Sequence, residues 1–295
     1  MRKLKVVFDT NVWRSLGLNG LDELYNYLSN PLKIKAQKVE LWETVPVIFE
    51  TIYDWYKENK LEVIVEFSKR KIKLCENRII PSPTTVVQRA IADKYNLFKN
   101  NNILSEENRY YINILNESTK IEFLQSEKFK NALIDSVEIA RKGYKEDIEK
   151  MYEIIKEEFK NFGIDLNKID ENTFDKLFKQ SEVRSETVKA LTKRFDLTGE
   201  MKSYMALYSE WEEVPLTKRI LEYYKSKLKD LFIKNRKPRE QDFLDLEIMI
   251  CATTLDKFIT QNKKDFQRYN LPILNDKLWT LDEFKNYIGF DYKKE

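Results

Sequence analysis

Apolar residues along this chain fall into two rhythms. Near the N-terminus, Leu4, Val6, Val7 and Phe8 form a short run that stops abruptly at Asp9-Thr10-Asn11. A continuous β-branched and aromatic run marks a strand covered on both faces, as in a parallel sheet. Residues 4–8 therefore predict a first strand, and Asn11 to about Leu28 a helix with Leu16, Leu21, Leu24 and Leu28 on its apolar side. Leu41 to Val45 predicts a second strand, closed by Pro46, which suits the first turn of a helix continuing through Trp55 and Tyr56. A short helix is expected over 61–69, an alternating strand over Lys71–Cys75, a turn at Ile79–Pro83 and a helix from Thr84 to Tyr95.

From about 96 to 237 the spacing switches to every three or four residues, and strand signals nearly vanish. One or two amphipathic helices are expected over 118–161, and further helices over 171–195, 199–211 and 216–234. Sheet grammar then returns. Residues 240–256 predict a helix, Lys257–Thr260 a compact strand, Pro272-Ile273-Leu274 a last short strand and 281–288 a closing helix. Thr280 with Glu283 three residues on is a capping-box pattern for that helix. Strands at both ends separated by helices imply one α/β core, 1–95 plus 238–295, with a predominantly α-helical insertion at 96–237.

Composition narrows the chemistry. The 295 residues contain no histidine, which removes Ser-His-Asp and Cys-His catalysis and histidine-ligated zinc together. Cys75 and Cys251, far apart, are expected as reduced, buried, intracellular thiols. No apolar stretch approaches the roughly 18 residues of a membrane span, so a cytoplasmic protein with no membrane association is expected. The 52 basic and 49 acidic side chains nearly cancel, leaving +3; any nucleic-acid affinity must come from local clusters. Hydrolytic chemistry, if present, rests on carboxylates and a hard metal.

Four acidic stations are arranged for that role. Asp9 closes the first strand, where ligands gather in open α/β sheets. Glu50 lies in the first turns of the helix after the second strand. Asp242 and Asp245, three apart, share one face of a helix. Asp265, with Asn262, follows the 257–260 strand. Converging carboxylates raise each other's pKa unless a cation neutralises them. Oxygen-only ligation suits Mg²⁺ or Mn²⁺, which can activate water and stabilise the leaving oxygen of a phosphodiester.

These segments carry a family resemblance. Val6-Val7-Phe8-Asp9-Thr10-Asn11, Val45-Pro46-Val47-Ile48-Phe49-Glu50, Asp245 leading into Ile248 through Ala252, and Phe258-Ile259-Thr260-Gln261-Asn262-Lys263-Lys264-Asp265-Phe266 together resemble a PIN-domain nuclease, of the VapC-like metal-dependent ribonuclease kind. The likeness covers roughly 4–95 and 238–288 and leaves the helical middle without a counterpart. It implies a small parallel β-sheet flanked by helices in three α/β/α layers, an acidic Mg²⁺ or Mn²⁺ pocket, and RNA hydrolysis leaving 5′-phosphate and 3′-hydroxyl ends. Residue by residue, it assigns Asp9, Glu50 and Asp245 to the three core acids. The fourth station departs from the pattern. Many members place Asp two residues after the strand Thr, where this chain has Asn262, and Asp265 stands three further on at a position also often acidic. Asp242 either compensates or caps its helix. Thr10, Asn11 and Thr260 would support the pocket.

Basic clusters lie at Lys33, Lys35 and Lys38, at Lys69, Arg70, Lys71 and Lys73, and at Lys234, Arg236, Lys237 and Arg239. Most are expected as solvated surface; the last, just before the Asp242 helix, is the candidate backbone-binding patch for RNA. The expectation is a metal-dependent endoribonuclease, in a toxin–antitoxin or anti-phage setting that the resemblance alone suggests. An inhibitory or defence-complex protein would dock on the insertion. A structure-specific DNA nuclease and a catalytically weak RNA- or protein-binding module are the rivals.

Overall fold

In the computed structural model the chain runs β1 (Leu4–Phe8), α1 (Thr10–Leu28), β2 (Val39–Thr44), α2 (Val45–Lys57), α3 (Leu61–Cys75), β3 (Ile79–Ile80), α4 (Pro83–Tyr95). The helical middle follows as α5 (Asn102–Glu117), α6 (Ile121–Leu124), α7 (Glu127–Ile134), α8 (Ala140–Asn161), α9 (Glu171–Phe178), α10 (Ser181–Arg194), α11 (Gly199–Tyr204), α12 (Tyr208–Glu213) and α13 (Pro215–Lys234). The chain closes with α14 (Glu240–Ala252), β4 (Lys257–Ile259), α15 (Lys263–Arg268), β5 (Leu278–Trp279) and α16 (Leu281–Ile288). The structure describes residues 3–30, 38–97, 102–134, 137–138, 140–161, 163–165, 169–179, 181–237, 239–268, 274 and 276–291, less a few helical side chains, that of Asp265 among them.

The five strands form one parallel sheet of order β3-β2-β1-β4-β5. Such strands need crossovers, which the helices supply. Val6, Val7 and Phe8 are fully buried, as a strand covered on both faces demands. Phe8 packs against Trp13 of α1 and Phe284 of α16, ring centroids 5.0 and 5.2 Å away. Consecutive strand residues point to opposite faces. Glu43 reaches α3 through Lys71, whereas Trp42 looks across a cleft toward α4, so helices cover both sides.

The helical middle is fused to this core. One hydrophobic cluster runs from the strands through Ile148, Phe159, Leu191, Trp211 and Tyr223. A second joins α2 and α3 to Leu115, Leu124, Phe129 and Leu133. Among the described residues, no helix is long and apolar enough to cross a membrane.

Several expectations need correction. Lys71–Cys75 is helical, not a strand. In α3 the buried positions Ile64, Phe67, Ser68, Lys71, Leu74 and Cys75 recur at helical spacing, and a buried lysine disguised the pattern. Lys71 therefore also leaves the proposed basic surface. The expected turn at Ile79–Pro83 contains the edge strand β3, and Val45 opens α2 rather than ending β2. Residues 118–161 hold α6, α7 and α8 rather than one or two helices; 171–195 divides into α9 and α10, and 199–211 is divided between α11 and α12. The expected strand at 272–274 falls largely outside the described residues, Leu274 being helical, and β5 was not foreseen. Cys75 and Cys251 are buried free thiols as expected.

Glu43 and Lys71 make a direct ion pair at 0 and 2 % side-chain exposure. Burial pushes the Lys71 ammonium down and the Glu43 carboxyl up, each opposed by the other's charge. The ammonium also lies 4.8 Å from the centroid of the Trp13 indole. Removing one member leaves an uncompensated buried charge. Lys71→Met is expected to cost about 3–5 kcal/mol in urea unfolding. Glu43→Gln added to Lys71→Met, which keeps an acceptor for the Thr44 N–H, is expected to recover most of it. Equal losses in the single and double variants would mean that the charge balance is not what stabilises this site.

Candidate functional site

From β1 the chain first moves outward to β2 and β3, then returns through the helical middle to β4 on the other side of β1. That reversal makes the carboxyl ends of β1 and β4 a topological switch point, the place where open α/β sheets generally bind their ligands. Asp9 and Thr260 are the residues that follow those two strands. The Asp9 amide donates to the Ile259 carbonyl at 2.8 Å, locking the strand ends together.

Asp9 is the N-cap of α1, and its Oδ1 accepts the Thr10 amide at 2.8 Å. Its Oδ2 accepts the Thr260 hydroxyl at 2.9 Å. Thr10 Oγ1 in turn donates to Glu50 Oε2 at 2.5 Å. Glu50 is carried by α2, whose start is set by N-cap Thr44 and by Pro46 in the first turn. Two carboxylates from separate elements are thus held by two threonine hydroxyls, with Asp9 4 % and Glu50 7 % exposed. Burial first, and the Glu50 charge second, raise the Asp9 carboxyl from 3.8 to about 7; the Thr260 and Thr10 hydrogen bonds pull the other way.

Arg14, one helical turn beyond Thr10, was not singled out from sequence. Its Nη2 donates to the Glu50 carbonyl at 2.8 Å and pairs with Asp54 Oδ2 at 2.9 Å. Its charge also reaches Asp9, acting to lower that carboxyl's pKa. A guanidinium set among the buried Val12, Trp13 and Leu16 in the first turns of the helix was the available signal.

The other predicted acids divide. Asp242 serves structure: it closes a capping box with Arg239 and pairs with the buried Lys227 ammonium at 2.8 Å. Burial acts to raise its carboxyl, but Lys227 and Arg239 outweigh that and hold it below the usual range. Asp245 is half-buried one turn on, in a helix that packs against α2 and β2. Among the described residues, no group of three or more acidic, histidine or cysteine side chains is placed to hold a metal. The Asp265 side chain lies outside the described residues. Asn262 is exposed, and its amide donates to Thr260 Oγ1 at 3.0 Å; Asn11 is exposed as well.

Of the candidate RNA-binding patch, Lys234 pairs with Asp230 at 2.6 Å and Arg239 donates to Asp242, while Lys237 is exposed and Arg236 half-buried. Lys33 and Lys35 lie outside the described residues. The donor set suits a hard cation: two oxygen ligands, buried side by side, whose repulsion a divalent ion would relieve. Asp9 and Glu50 would hold it. Compared with protein-family models, curated proteins and solved structures, the chain matches none.

Asp9 sets the pH response of the metal-free protein. A folded-state pKa above the unfolded value favours folding fully below about pH 4, and that contribution is lost as pH rises to about 7. The interval corresponds to about 4 kcal/mol at most. Asp9→Asn removes the charge, so in EDTA at pH 8 it is expected to raise the Tm by at least about 3 °C. The gain should shrink steadily between pH 7 and 4. A variant less stable than wild type at pH 8 would show that Asp9 is not destabilised where it sits.

Proposed function

We propose that this chain is a divalent-metal-dependent nuclease of PIN type, cleaving RNA internally by hydrolysis. The observation that carries the reading is the buried Asp9–Glu50 pair at the switch point of a parallel sheet, spanned by Thr10, with Thr260 bonded to Asp9. Such pairing disfavours the apo state and favours a bound cation. Mg²⁺ or Mn²⁺ would supply activation of water and stabilisation of the leaving oxygen.

The chain's own groups have distinct tasks in this reading. Asp9 and Glu50 hold the cation. Thr10 and Thr260 fix both carboxylates on the crevice floor, so little rearrangement accompanies binding. Arg14 supplies positive charge beside Glu50 and Asp9. Asp245, on the helix packed against α2, and Asp265, just past β4, are the candidates to complete the site once a cation is present. The loop Lys234–Arg239 would contact the phosphate backbone next to α14. The helical middle, 96–237, would select substrate or dock an inhibitory or defence-complex partner. The toxin or anti-phage setting rests on the resemblance alone.

A second reading has one observation in its favour. Among the described residues no third acid joins Asp9 and Glu50 in a metal-holding group, as would suit a module that has lost most catalysis.

Fluorescent single-stranded RNA and matched DNA oligonucleotides, incubated with Mn²⁺ and with Mg²⁺, separate these. Wild-type protein is expected to cleave RNA internally, leaving 5′-phosphate ends. Asp9→Asn and Glu50→Gln are each expected to slow cleavage about 100-fold or more, the equivalent of roughly 3 kcal/mol of transition-state stabilisation. Faster cleavage of DNA would move the assignment to a DNA nuclease. RNA bound but intact under both metals would favour the binding module.

A further inference from the structure

A cleft of about 780 Å³ lies along the face of the sheet that α4 covers. Its floor is Lys5 of β1 and Trp42 of β2, and its walls come from α4, the start of α13 and the turn after α14. Lys5 precedes Asp9 by four residues, about 13 Å along the strand at ~3.3 Å per residue, and Trp42 pairs with Val7, two residues before Asp9. Neither Asp9 nor Glu50 lines the cleft. It also joins two parts of the chain: the sheet and α4 on one side, and the last helix of the helical middle on the other.

We propose that this cleft binds a nucleoside phosphate. Four features converge on a flat ring carrying an anion. The Trp42 indole, half-buried, presents an aromatic surface, with the Lys5 ammonium 5.3 Å from its ring centroid. Ile80, Pro81, Val86 and Ala90 give apolar walls suited to the edges of a base and ribose. Arg89 stands at the rim. It pairs only loosely with Asp93, at 3.9 Å and with both side chains largely exposed, so its guanidinium can turn to a phosphate at little cost. Val214, at the N-cap of the 20-residue α13, offers no side-chain acceptor, so the positive end of that helix also faces the cleft. Asp93 is the one acid lining the cleft among the described residues, against the two cations Lys5 and Arg89. The volume lies within the range of small-ligand sites, which favour junctions between structural units. A ligand seated there would brace the helical middle against the sheet.

The test is calorimetric titration of the whole chain in EDTA, which keeps nucleotide from bridging to the acids through a metal. The four ribonucleoside 5′-monophosphates, adenosine and inorganic phosphate serve as probes, with tryptophan fluorescence read in parallel. At least one monophosphate is expected to bind with Kd of about 10–100 μM, the scale of an ordinary ligand of that size. Adenosine and phosphate alone should bind at least tenfold more weakly. Arg89→Glu and Lys5→Gln, both at exposed side chains, should weaken binding tenfold or more, and Trp42→Phe should remove the fluorescence response. The proposal is overturned if no monophosphate binds up to 5 mM while circular dichroism shows a folded chain. Equal binding by inorganic phosphate would reduce the cleft to an anion patch. Unchanged affinity in folded Arg89→Glu and Lys5→Gln would place the nucleotide elsewhere. Because metal is absent throughout, a failed nuclease assay and a failed titration remain separate results.

Discussion

Two carboxylates forced together in a dry crevice are the constraint on which the rest depends. The sheet order brings the ends of β1 and β4 side by side, and Asp9 has no route away from the position it occupies. Its backbone amide bonds to Ile259 and its side chain caps α1. Glu50 is brought up by α2, and Thr10 joins the two acids, its amide donating to Asp9 and its hydroxyl to Glu50. A fold seeking stability alone would put an apolar residue or a paired cation there. Keeping like charges buried is costly, and sites that keep them are typically ones that use the charge.

The contrast with the chain's other buried acids sharpens this. Glu43 has Lys71 against it, and Asp242 has Lys227 and Arg239. Lys227 pays for that burial with an ammonium lowered to about 8, although the Asp242 charge and hydrogen bond oppose the shift. These pairs are internally balanced and tie elements together, Lys71 joining α3 to β2 and Lys227 joining α13 to α14. Asp9 and Glu50 instead meet neutral threonine hydroxyls, with Arg14 turned toward the Glu50 carbonyl and Asp54.

Much of this was legible in the residue order, because the signals were local. The run Lys5–Phe8 stopping at Asp9, the Pro46 after an apolar strand and the Thr280–Glu283 cap each depend on a few neighbouring residues, and each appears where expected. What sequence could not convey was pairing at long range. Lys71 looked like surface because its partner Glu43 is 28 positions away and on another element. Strand β3, two residues long, carries too little pattern to separate it from a turn. Asp242 stood open between ligand and helix cap because sequence shows its face but not Lys227 opposite it, and it does cap the helix. Arg14 was passed over for the same reason, its meaning lying in Glu50 and Asp54. The helical middle was recognisable by its spacing, yet its fusion with the sheet through one continuous apolar cluster was not.

Crystals soaked in Mn²⁺ and measured at its absorption edge test the central claim most directly. The account expects an anomalous peak at ligand distance, about 2.0–2.2 Å, from carboxylate oxygens of both Asp9 and Glu50. A site filled elsewhere on the chain, or no peak beside these two acids at saturating Mn²⁺, would contradict it.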